Sequence, residues 1–369
     1  MLYMNIINRQ HGYAALLMIP LAFGLLSCSK HKDATPTPQT LTFQQTISLP
    51  QSRVYGSGGA IGSKFVFAGG TSNNTIQKSV DIYDVQTGAW TQSNLSLGRW
   101  MMTSVQTDNE ILFAGGLTTS SYTSISGVVD IFNPGSGTWS QATLPTPRAS
   151  MAAASAGRKV FLGGGAGANM VFSQALDIYD RNSNTWTSTN LMVAHLSGAA
   201  AAAGNKVMFA GGYGGTAASP VISNMVDVYD LNTGKLTTAT LSKGRIALAG
   251  VASGSRMFFA GGLEAPQTNI ASDVVDVYDA AADQWSVMHL SAARCNIGTA
   301  VIGTLVVFAG GDTGVKTFDT IDIYNTQTNT WSTARLSSPQ TYCTLGVCNR
   351  QLIVAGAQSK TADVFLLSN

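Results

Sequence analysis

The chain has 369 residues, of which 11% are charged, with a formal net charge of +2. That balance offers no extended basic face of the kind that draws a phosphate backbone, so nucleic acid is excluded as an expected partner. With 39 glycines and no long stretch of helical period, the chain points to strands joined by tight turns.

The first segment differs in kind from the rest. Arg9 and His11 precede the apolar run "YAALLMIPLAFGLL" at 13–26, and Ser27 and Cys28 follow it. Fourteen apolar residues are too few to span a bilayer, which needs roughly 20 in a helix. The run therefore reads as an export signal over residues 1–27. The stretch "LLSC" ending at Cys28 resembles a bacterial lipoprotein lipobox. That resemblance implies cleavage before Cys28 and acyl chains on its sulfur and new amino terminus, so that the protein is held in the cell envelope by lipid alone. Each buried methylene is worth about 0.8 kcal/mol, and more than one chain anchors stably. "SKHKDATPTPQT" at 29–40 is polar and proline-bearing, a solvated tether that with Cys28 makes up residues 28–40.

From residue 41 onward the sequence repeats. "FAGG" ends at Gly70, Gly116, Gly212, Gly262 and Gly311, "LGGG" at Gly165, and a weaker "VAGA" carries Gly356, which makes seven units. Arg53, Arg99, Arg148, His195, Arg245, Arg294 and Gln340 each stand 16 residues before the first glycine of their unit. Trp90, Trp139, Trp186, Leu236, Trp285 and Trp331 each stand nine residues before the next member of that series. An aspartate recurs in phase as well, at Asp81, Asp130, Asp177, Asp227, Asp276, Asp322 and Asp363.

Each unit divides into four short segments, which in the second are "MMTSVQT" (101–107), "EILFAGG" (110–116), "VVDIF" (128–132) and "TWSQATL" (138–144). Four strands at a period of 46–50 residues predict an all-β fold, a seven-bladed β-propeller over residues 41–369. The pattern "GG…VDIYD…TGAW" resembles the Kelch repeat. Innermost strands crowd around an axis and need small side chains, which "SMAAASA" and "SGAAAAA" supply. Strands covered on both faces by neighbouring blades read as continuous apolar runs such as "ILFA" and "MFFA". The seventh unit stops without its fourth segment. Nine residues before Arg53 lies Gln44, inside "LTFQQTISLP" at 41–50, so the N-terminal segment is predicted to supply the missing outer strand and close the ring.

Residues suited to catalysis are few. His195 and His289 fall at different phases, and no His-x-x-x-His or Cys-x-x-Cys spacing occurs, so neither a zinc site nor the copper centre of Kelch-type oxidases is supported, and no cofactor is expected. Neither a nucleophile elbow nor a phosphate loop is present. Cys343 and Cys348 are five apart on one strand and point to opposite faces. Cys295 and Cys343 lie on adjacent inner strands, and the three are read as unpaired small apolar residues ahead of a bridge between those two.

The Arg series begins the innermost strands, at the end that also bears the loops after the glycines. Arg53, Arg99, Arg148, Arg245 and Arg294, with His195 and Gln340, are expected either to ring the mouth of the central channel or to pair with the recurring aspartates. In the first case the resemblance to Kelch domains that bind acidic peptides implies an anionic ligand, which a guanidinium fork suits. Trp100, Tyr122 and Tyr213 are the aromatics near that mouth, and Glu264 and Asp312 its nearest carboxylates. The loops after the glycines vary most, and variable loops on a rigid frame are where specificity resides.

The expected function is a lipid-anchored, monomeric binding module for a peptide or glycan at the loop-bearing face. The rival is a sugar mutarotase or epimerase resembling the Kelch enzymes that act on sialic acid, which needs a positioned acid or base. A purely structural role in an envelope assembly is the third.

Overall fold

The computed structural model describes residues 38–368 apart from Pro266, Thr268 and Gln358. The expected export signal, Cys28 and most of the tether lie outside the described residues.

Four strands in the order of the chain make each blade. In blade one, Ser57–Ile61 is innermost, followed outward by Lys64–Ala68, Ser79–Asp84 and Ala89–Asn94. Blades two to six repeat this order, with antiparallel pairing throughout. In blade seven the order outward is Thr344–Cys348, Gln351–Ala355 and Thr361–Leu367, and then Leu41–Ser48 from the front of the chain. Leu41 stands opposite Leu367 and Ser48 opposite Thr361, with a bulge between Phe43 and Gln45. The closure predicted from the missing segment is thus present, and Gln44 is the residue that the bulge leaves over.

One blade cannot bury both of its faces, and its neighbours do so for it. Among the described residues, seven apolar clusters make up the core, and each joins two successive blades. Phe113 and Phe132 of blade two, for example, pack with Val66, Val80 and Leu95 of blade one. The last cluster joins Ile353, Ala355 and Val364 of blade seven to Phe65, Phe67 and Tyr83 of blade one. The second strands are apolar on both sides for this reason, and the tryptophans stack on the aromatics of the third strands at the widening rim, as Trp139 does on Phe132 at 4.5 Å.

The glycine pairs end the second strands because only glycine fits there. A Cβ on Gly69, whose φ is +61°, would lie 2.7 Å from the carbonyl oxygen of Arg99 in the next blade. Gly70 donates to that same carbonyl at 2.9 Å. The long loops and the entries to the inner strands share one face, and the short turns between first and second and between third and fourth strands share the other.

Candidate functional site

The recurrent arginines are the first thing the fold explains. All five are fully buried, and each reaches under the glycine pair of its own blade. Arg53 pairs with Asp81 at 2.6 Å, Arg148 with Asp177 at 2.5 Å and Arg294 with Asp322 at 2.7 Å, while Arg99 and Arg245 bind Asp130 and Asp276. Each guanidinium also donates to the carbonyl of the first glycine, as Arg148 does to Gly164 at 2.8 Å. His195 takes the same place, with Nε2 2.8 Å from Asp227 and Nδ1 2.6 Å from the carbonyl of Gly211. Burial pulls the guanidinium pKa of Arg53, Arg99, Arg148 and Arg245 below its ordinary value, opposed by the paired aspartates.

The expectation of a ring of guanidinium groups around the channel mouth is corrected by this geometry. The arginines begin the inner strands as predicted, but the glycine turns carry the chain over them and seal them from solvent. Of the two readings open in the sequence, the pairing with aspartate is the one the fold adopts. Gln340 departs from the series in blade seven: it is buried, and among the described residues neither its amide nitrogen nor its amide oxygen finds a partner. Asp363 is held instead by Thr46 of the closing strand and by Ser337.

What does line the mouth lies two residues further on. Tyr55, Met101, Ser150, Ser197, Ala247, Asn296 and Tyr342, one from each blade, all adopt left-handed backbone with φ between 48° and 56°. Such a conformation costs a residue with a side chain about 1–2 kcal/mol. Backbone bonds support it from blade to blade: Ala247 donates to Ser197 at 2.8 Å, Asn296 to Ala247 at 3.1 Å, and Tyr342 to Asn296 at 3.2 Å. The chain turns in this way from the sealed arginine into the inner strand. The seven residues border a cavity of about 730 Å³ at the loop-bearing end of the channel, within the size range of ligand sites. Among the described residues, no aspartate, glutamate, lysine, arginine or histidine lines it.

Sequence reading missed this ring, because its members share no residue type. The available signal was the opposite one: a position at fixed phase, near constant residues, that is filled by five different residue types over the seven blades.

The remaining expected site residues fall around the mouth in different settings. Trp100 packs on Tyr55, with ring centroids 5.6 Å apart, and its Nε1 donates to the carbonyl of Thr119 at 2.8 Å. The Tyr122 hydroxyl points toward Ser150 Oγ at 3.5 Å. Tyr213 stacks on Phe172 between the loops of blades three and four. Glu264 is paired with Lys243 at 3.1 Å. Asp312 is buried behind Asn296, where its oxygens accept from Asn296 Nδ2 at 3.0 Å, from the backbone N–H of Gly314 at 2.8 Å, and from the Thr341 hydroxyl. Neither carboxylate stands in the cavity. Cys295, Cys343 and Cys348 are free thiols, as read from their positions, and burial pushes each up to about 12.

The two faces differ in chemistry. Charged side chains concentrate at the short turns, among them Lys64, Asp84, Lys159, Arg181, Lys206, Asp230 and Asp283. The loop-bearing face carries fewer charges, among them the pairs Lys243–Glu264 and Arg335–Asp319, and exposes Leu97, Val171, Met192, Val221, Ile270 and Val315. A family model described as the Kelch motif matches residues 293–335, the stretch that forms blade six. No curated protein matches the chain.

Proposed function

We propose that the protein is an interaction module that holds an uncharged peptide segment or glycan at the mouth of its channel, with the surrounding loops and their exposed apolar side chains around it. The observation that carries this reading is the contrast within each blade. The glycines and, in most blades, the arginine and aspartate repeat, whereas the seven residues facing the cavity are of five kinds: tyrosine, methionine, serine, alanine and asparagine. A frame that repeats and a lining that varies is the division expected of a scaffold and its specificity surface. The neutral lining gives no support to an anionic ligand. We also propose, on the lipobox alone, that the protein is exported and held in the bacterial envelope through acylated Cys28, and that it acts as a monomer.

The test is a thermal-shift screen with arrays of uncharged peptides and neutral oligosaccharides. A ligand at 100 times its Kd stabilises the folded state by about 2.7 kcal/mol. That stabilisation is expected to vanish in Ala247→Trp, which fills the mouth, and to persist in Lys235→Ala on the opposite face. Binding that survives Ala247→Trp would remove the mouth as the site.

A further inference from the structure

We infer that the arc of the mouth formed by blades six, seven, one and two is a subsite for an uncharged sugar ring. This rests on the reading of the loop-bearing face as the binding face, and it narrows the ligand to one class.

The lining is lopsided. Ser150, Ser197 and Ala247 make one side small, while Tyr342 and Tyr55 bring aromatic rings to the other, with Trp100 packed against Tyr55 at the rim. Tyr55 meets Tyr342 edge-on, with centroids 4.8 Å apart at 68°, and meets Trp100 at 52°. Because the Trp100 indole is tied to Thr119, the three rings brace one another and lose little freedom when a ligand arrives. Tyr342 remains 38% exposed, so part of its ring is open to the mouth.

Beside it, Asn296 is held in one orientation. Its Nδ2 donates to the Asp312 carboxylate at 3.0 Å, and a carboxylate can only accept, which fixes which end of the amide is which. Among the described residues, Asn296 Oδ1 accepts no hydrogen bond and is left for a ligand's donor. The Tyr342 phenol is pushed above its ordinary pKa by burial and then by Tyr55, so it stays a neutral O–H at physiological pH.

An apolar aromatic platform beside a fixed amide acceptor and a phenol matches a molecule with one flat C–H face and a rim of hydroxyls. A pyranose has that form: its C–H face lies on the rings, one hydroxyl donates to Asn296 Oδ1, and another exchanges a hydrogen bond with Tyr342. A peptide is less well served. Strand addition needs a free sheet edge along its length, and the inner strands run down the channel and present only their ends here.

The test uses the full-length protein and an array of neutral gluco-, galacto- and manno-oligosaccharides, followed by calorimetric titration of any that bind. At least one is expected to bind with Kd at or below about 1 mM. Trp100→Ala and Tyr342→Ala should each weaken it about tenfold or more, and Asn296→Ala should weaken it too, with Lys235→Ala unchanged. If Tyr342→Ala fails to fold, Tyr342→Phe and Trp100→Phe decide, since the first removes only a hydroxyl and the second only part of the platform. Sugar binding indifferent to these variants overturns the subsite. If uncharged peptides bind, are blocked by Ala247→Trp, and no sugar does, the subsite falls and the binding-face reading stands. If neither class binds, both fall.

Discussion

Arg148 shows what a single recurrent residue does in this fold. It bonds Asp177 and the carbonyls of Leu162, Gly164 and Ala175, joining the second strand, the glycine turn and the third strand of one blade, while its own carbonyl accepts from Gly116 of the blade before. Removing one partner of a buried pair leaves the other charge uncompensated, at a cost of about 3–5 kcal/mol. Arg148→Met is therefore expected to lower unfolding free energy by that amount in denaturant titration. Gln340→Met should behave oppositely, being neutral or stabilising by about 1 kcal/mol, because it removes an amide that has no partner among the described residues. Equal losses in both variants would refute this account of the series. The arginines were legible as a constant phase, and so was their possible pairing with aspartate. Their burial was not, since spacing along a strand does not reveal which turn of the chain passes over it.

At the scale of the strand and the turn, the sequence was most informative. The four segments of the second unit correspond to strands Thr103–Gln106, Ile111–Ala114, Val128–Asn133 and Thr138–Thr143, because alternating turn residues and apolar runs are local signals. The turns between third and fourth strands share a further device. Asp84, Asp180, Asp230, Asp279 and Asp283 lie at or in them, and all are held below the usual carboxylate range. For Asp84 the causes are the Lys64 ammonium and the backbone N–H of Gln86, which bring it to about 2. A carboxyl whose folded pKa is depressed stabilises the fold above its unfolded value of about 3.9 and loses that contribution as pH falls through the folded one. Stability measured by urea titration should hence decline between about pH 4 and pH 2, and Lys64→Met should lessen the decline. A flat profile there would count against these turns as acid-sensitive elements. The closing strand makes its own prediction: a chain beginning at residue 50 loses the partner of Thr361–Leu367 and the Thr46 bond to Asp363. Its melting temperature should fall well below that of the full chain; an unchanged value would mean that the outer strand contributes nothing to closure.

For the whole molecule, seven copies were countable and the ring followed from them, since a sheet with two apolar faces needs a neighbour on each side. The strand order also put the loops after the glycines at the same end as the entries to the inner strands, as the fold has them, but the side chains lining that end were not legible, because the residues that recur there are the buried ones. Direction along the blades has one more effect. The outermost strand of blade seven runs toward the loops, so Leu41 and Leu367 meet at the other, charged end, where Gln39 accepts from Thr304 and Thr40 bonds Ser368. Gln39 and Thr40 thus sit on the face opposite the mouth.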